Sequence, residues 1–75
     1  MNKNRRKRIS DVIYTLKQVK DVLNIVMNEE DDAFNNLSEG LQCTMRGEQM
    51  EENISELEEA IEHIEEALDN LDTIE

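Results

Sequence analysis

Apolar residues recur along the first half of the chain at Ile9, Val12, Leu16, Val19, Leu23 and Val26, then at Ala33 and Leu37. The steps alternate between three and four, which is the period of one face of a helix, and Glu30 is the one polar interruption. Ile13, Met27 and Phe34 widen the stripe on one flank, and Val22 widens it on the other. The rhythm returns at Met50, Ile54, Leu57, Ile61, Ile64, Leu68 and Leu71, with Ala60, Ala67 and Ile74 on its flank. Two long amphipathic helices are therefore predicted, over residues 9–37 and 48–74, preceded by a basic segment at 1–8.

The segment 38–47 separates the stripes and holds both glycines, Gly40 and Gly47. Glycine weakens a helix and supplies backbone conformations that turns need, so a connection is expected there. Ser38 is suited to cap a short turn over Glu39–Thr44, and Thr44 or Gly47 to precede the second helix. The early acids Glu48, Glu51 and Glu52 suit that helix's dipole. Leu41 and Met45 are expected to plug the end near the connection.

Folding the helices back on each other gives a testable register, because facing residues in an antiparallel pair have a constant sum of residue numbers. Val12 with Leu71, Val19 with Ile64, Val26 with Leu57 and Ala33 with Met50 give 83, while Leu16 with Leu68 and Leu23 with Ile61 give 84. Glu30 falls near Ile54, and Lys20 falls beside Glu65 as an interhelical ion pair. The expected fold is all-α, an antiparallel two-helix hairpin of coiled-coil type, one domain in all.

A hairpin of this kind covers one stripe per helix and leaves the flanks wet. A contiguous apolar edge on a small protein marks a contact surface. Ile13, Val22, Met27, Phe34, Ala60 and Ala67 are the candidate self-association residues, and the simplest product is a dimer forming a four-helix bundle. A different protein partner is the competing occupant.

Charge divides the molecule. Residues 1–20 hold seven basic groups against Asp11, a balance of +6, and residues 21–75 hold Arg46 against eighteen acids, a balance of −17. With most of its surface repelling phosphate, the chain does not look like a general nucleic-acid binder. The basic run still offers Arg5, Arg6, Lys7 and Arg8 as candidate nucleic-acid contacts. The register favours a plainer use, in which they face Asp72, Glu75 and the terminal carboxylate. The outer face of the second helix carries Glu58, Glu59, Glu62, Glu65, Glu66 and Asp69. Such a face is usually solvated surface, yet it also resembles a phosphate track that a basic host protein could accept.

Catalysis and metal binding find little purchase. There is a single His, no Gly-rich phosphate loop and no serine with a base in reach, so an enzyme is not expected and no cofactor is implied. Glu59, His63 and Glu62 or Glu66 have helical spacing, but metal sites in helical bundles need inward-facing ligands on several helices, and His63 is placed outside. No apolar run reaches membrane-span length and no signal-peptide core follows the basic run. The lone Cys43 fits a reducing interior, so a cytoplasmic setting is expected.

The segments Ala33-Phe-Asn-Asn-Leu-Ser-Glu-Gly-Leu-Gln and Arg46-Gly-Glu-Gln-Met-Glu-Glu are more distinctive. With Asn4-Arg-Arg-Lys and the ladder Leu57, Ala60, Ile64, Ala67, Leu71, the chain resembles a group of small helical proteins of bacteriophages, prophages and mobile elements of Gram-positive bacteria. The resemblance spans nearly the whole chain. Its specific part is a Phe/Tyr-Asn/Asp-x-Pro/Ser-Glu-x-Leu-Gln stretch followed by Arg-Gly-Glu. Ser38 stands where a Pro is common and Gly40 where a larger residue is usual, which loosens the turn. The resemblance implies a mobile-element setting and a helical fold, without a catalytic residue. The expected function is that of a non-enzymatic accessory protein acting by protein–protein contact. The alternatives are nucleic-acid binding through the basic run, or acidic inhibition of a host DNA-binding or defence protein.

Overall fold

The computed structural model describes residues 1–74 of the chain. They form α1 (Lys3–Asn35), a short α2 (Glu39–Gln42) and α3 (Met45–Asp72), with no strand among them. The two long helices pack side by side into a rod of 58 × 15 × 13 Å.

Each helix starts on a side-chain acceptor. Asn2 Oδ1 accepts from the Arg5 backbone N–H at 2.9 Å, Ser38 Oγ from Leu41 N–H at 3.4 Å, and Thr44 Oγ1 from Gly47 N–H at 3.5 Å. A cap satisfies one of the donors that a helix start leaves unpaired. The basic run therefore lies inside α1, in its first turns, instead of preceding it.

Neither glycine has a positive φ, so neither serves the connection through an unusual dihedral. Gly47 is buried within α3, and a Cβ there would meet the Gln42 carbonyl oxygen and stand 2.6 Å from the Gln42 carbonyl carbon. Its role is to let α3 begin against the end of α2. Gln42 fastens the other side, its Nε2 donating to the carbonyl oxygens of Phe34 at 3.2 Å and Leu37 at 3.1 Å. Leu41 and Met45 stay exposed and plug nothing at this corner.

The face that α1 turns to α3 is one residue away from the expected one. Its half-buried residues are Ile9, Ile13, Leu16, Lys20, Leu23, Asn24, Met27, Glu30 and Phe34, continued beyond the helix by Leu37. Val12, Val19, Val26 and Ala33 are exposed, so the four layers assigned to them pass to Ile13, Lys20, Met27 and Phe34. Leu16 and Leu23 are half-buried and belong to both faces. On α3 the sheltered positions are Met50, Ile54, Leu57, Ile61, Ile64, Leu68 and Leu71, as the periodicity predicts.

The physical reason is size. The adopted stripe carries Ile, Leu, Met and Phe, whereas the rejected one carries Val and Ala at every position the two do not share. Larger side chains remove more apolar area from water, at about 25 cal/mol per Å². The choice draws Lys20 into the seam and keeps Glu30 there. Glu30 Oε2 is met by Asn53 Nδ2 at 3.3 Å, and Lys20 is long enough to carry its ammonium to solvent.

The packing is shallow. Met50, Ile61 and Leu68, all on α3, are the buried apolar residues, and none is completely enclosed. Among the described residues no helix is long and apolar enough to cross a membrane.

Candidate functional site

The outer side of α1 carries the most unusual surface. Val22 and Ile25 are exposed to 58% and 57%, Val12 to 49%, and Val19 and Val26 to about the same degree as one another. α3 contributes one comparably exposed apolar residue, Met45 at its first position. Val12, Val19 and Val26 are spaced by seven residues and so share one line along the helix. A groove lined by Thr15, Gln18, Val19, Val22 and Leu23 runs through the middle of that line. A second hollow, lined by Met1, Arg5, Arg8, Ile9 and Val12, continues it toward the start of the helix.

The stripe is bracketed by charge of opposite sign. Arg5, Arg6, Lys7 and Arg8 lie before it and Glu29, Glu30, Asp31 and Asp32 after it, all within α1. The helix has no acid in its first turn and no base in its last. This distribution opposes the helix dipole, which favours acids at the start and bases at the end.

The six residues expected to mediate self-association are divided by the fold. Val22 is exposed on the new stripe. Ile13, Met27 and Phe34 are half-buried and belong to the face turned to α3, and Ala60 and Ala67 are half-buried along α3. Sequence reasoning missed Val12, Val19, Val26 and Ile25 as surface residues. The signal was present, since α1 carries two largely apolar stripes where α3 carries one.

Among the described residues the basic run does not form the expected pair with Asp72. The ion pair among the described residues is Lys7 with Asp11 at 3.4 Å; His63 Nε2 lies 4.0 Å from Glu59 Oε1, and both contacts are exposed and one turn apart. Arg6 shares a cleft with Ile9, Ile13, Leu71, Asp72 and Ile74 but makes no ion pair with Asp72. The expected contact with Glu75 lies outside the described residues. Lys20 and Glu65 are not paired either, because Lys20 occupies the seam instead of its margin.

Glu58, Glu59, Glu62, Glu65, Glu66 and Asp69 are all exposed on α3. Glu58, Glu59 and Glu62 line a shallow hollow with Ser55 and His63. Among the described residues no three His, Cys, Asp or Glu side chains gather where a metal ion would sit. Cys43 is exposed at the turn between α2 and α3.

The chain matches no family model, no curated protein and no solved structure.

Proposed function

We propose that the chain is an antiparallel helical hairpin that works by protein–protein contact, with the valine stripe of α1 as its contact face. The setting suggested by the resemblance of Ala33–Gln42 and Arg46–Glu52 is a phage or mobile element in a Gram-positive bacterium. On this reading the protein is a non-enzymatic accessory factor. The observation that carries the contact reading is the exposure of Val12, Val19 and Val26 at seven-residue spacing, with Val22 and Ile25 beside them. A solvated helix face has no use for a heptad of β-branched residues. A face that packs against another helix requires one.

The basic run supports this reading better than nucleic-acid binding. Arg5 and Arg8 edge an apolar hollow that also contains Met1 and Val12, so they border the contact stripe. A mixed surface of that kind is typical of a protein interface, where charges at the rim guide approach and orientation.

The test is site-specific photocrosslinking in cells of a Gram-positive host, with a photoreactive residue placed in turn at Val22, Glu62 and Arg6. Protein adducts at Val22 are expected. Adducts at the Glu62 position alone would move the function to the acidic face of α3. Nucleic-acid adducts at the Arg6 position, with none at Val22, would replace protein contact by nucleic-acid binding.

A further inference from the structure

We infer that the valine stripe of α1 is covered by the same stripe of a second copy, running antiparallel about a two-fold axis near Val19. This deepens the contact reading and rests on it. Two independent features of the chain point to a second copy.

The first is charge. The stripe runs from Val12 to Val26, with Val19 at its centre. An antiparallel copy centred there sets Val12 against the partner's end of the stripe and brings Arg6, Lys7 and Arg8 level with the other copy's Asp32, Asp31 and Glu30. By symmetry the same contact forms at both ends. A parallel copy in register would instead place the basic run on itself and the acidic run on itself, which is repulsive twice. The antiparallel neighbour also sets an opposite charge beside each end of α1, offsetting the unfavourable relation of its charges to its own dipole.

The second is area. The chain exposes 5848 Å² at a mass of 8.8 kDa. A compact monomer of that mass exposes about 4,800 Å², so the excess is about 1,000 Å². An interface of ordinary size removes about 800 Å² from each partner. The uncovered surface is thus what one further copy would occupy. The line of Val12, Val19 and Val26 is offset by one residue, about 100° around the helix, from the line of Ile13, Lys20 and Met27. Neighbours of a helix in a four-helix bundle stand at a similar angle, so α3 and the second copy's α1 do not compete for the same side.

The dimer is tested on the purified full chain in a Cys43→Ser background, with single substitutions Val12→Cys, Val19→Cys and Val26→Cys and a short bis-maleimide reagent. Val19→Cys is expected to crosslink to itself. Val12→Cys and Val26→Cys are each expected to stay single alone and to crosslink when mixed. In the antiparallel arrangement two copies of position 12 lie about 21 Å apart along the axis. Light scattering on the unreacted chain should give twice 8.8 kDa. Raising salt from low to about 0.5 M should weaken association by about tenfold, because the end contacts are exposed ion pairs. Self-crosslinking of Val12→Cys would overturn the antiparallel arrangement, and a single-chain mass with no crosslink at Val19→Cys would overturn the dimer. If that monomer still gave adducts of another mass at Val22 in cells, protein contact would stand and only its occupant would change.

Discussion

Gly47 and Gly40 are separated by seven residues and have opposite tolerance for a side chain. A Cβ at Gly47 meets the backbone of Gln42, which no rotamer change relieves, whereas nothing lies within 4 Å of one at Gly40. Gly47→Ala should therefore lower stability by about 1–3 kcal/mol, the usual cost of overpacking, despite alanine's higher helix propensity. Gly40→Ala should raise it by up to about 1 kcal/mol, since it only removes freedom from the unfolded chain. Thermal melts of the two variants read both signs. The glycines stand out in the sequence as the break between the helices. That Gly47 serves by being small, with an ordinary φ, follows only from where Gln42 sits. Glu30 is a similar case, visible as a polar interruption but not as the acceptor of Asn53. Asn53→Ala should cost about 0.5–1.5 kcal/mol in denaturant titration, and Glu30→Leu should cost less or stabilise, because an apolar residue there extends the seam.

Two helices of similar length behave differently as elements. α3 carries one apolar stripe against an acidic remainder, so its sheltered face was legible from periodicity alone. α1 carries two stripes offset by one residue that share Leu16 and Leu23, and periodicity cannot rank them. Side-chain size ranks them, through the area that each removes from water against α3. Alanine substitution at neighbouring positions separates the two assignments. Met27→Ala should cost about 2 kcal/mol and Val26→Ala well under 1 kcal/mol, measured at protein concentrations low enough to keep the chain monomeric. Equal costs would place α1 in the rotation that the valines favour. The connection was legible in outline through Ser38 and Thr44 as caps. The exposure of Leu41 and Met45 was not, because their side-chain directions depend on how α2 meets both long helices.

At the scale of the molecule, a rod only 13 to 15 Å across buries little, and its packed seam alone is a narrow source of stability. Association through α1 would then contribute to folding itself. The thermal midpoint is expected to rise by several degrees between micromolar and near-millimolar protein. A midpoint independent of concentration would mean that the long helices stand without a partner.

The sequence alone determined that the chain is helical, that two long helices flank a short connection, and that charge divides along it, because these follow from period, capping and composition within single segments. Tertiary structure decided which stripe of α1 meets α3, which residues are left for a partner, and whether the basic run meets the acids nearest in the fold. Each is a competition between surfaces that are far apart along the chain. Such competitions are settled by side-chain volume and reach once the helices are side by side, and no local pattern encodes their outcome.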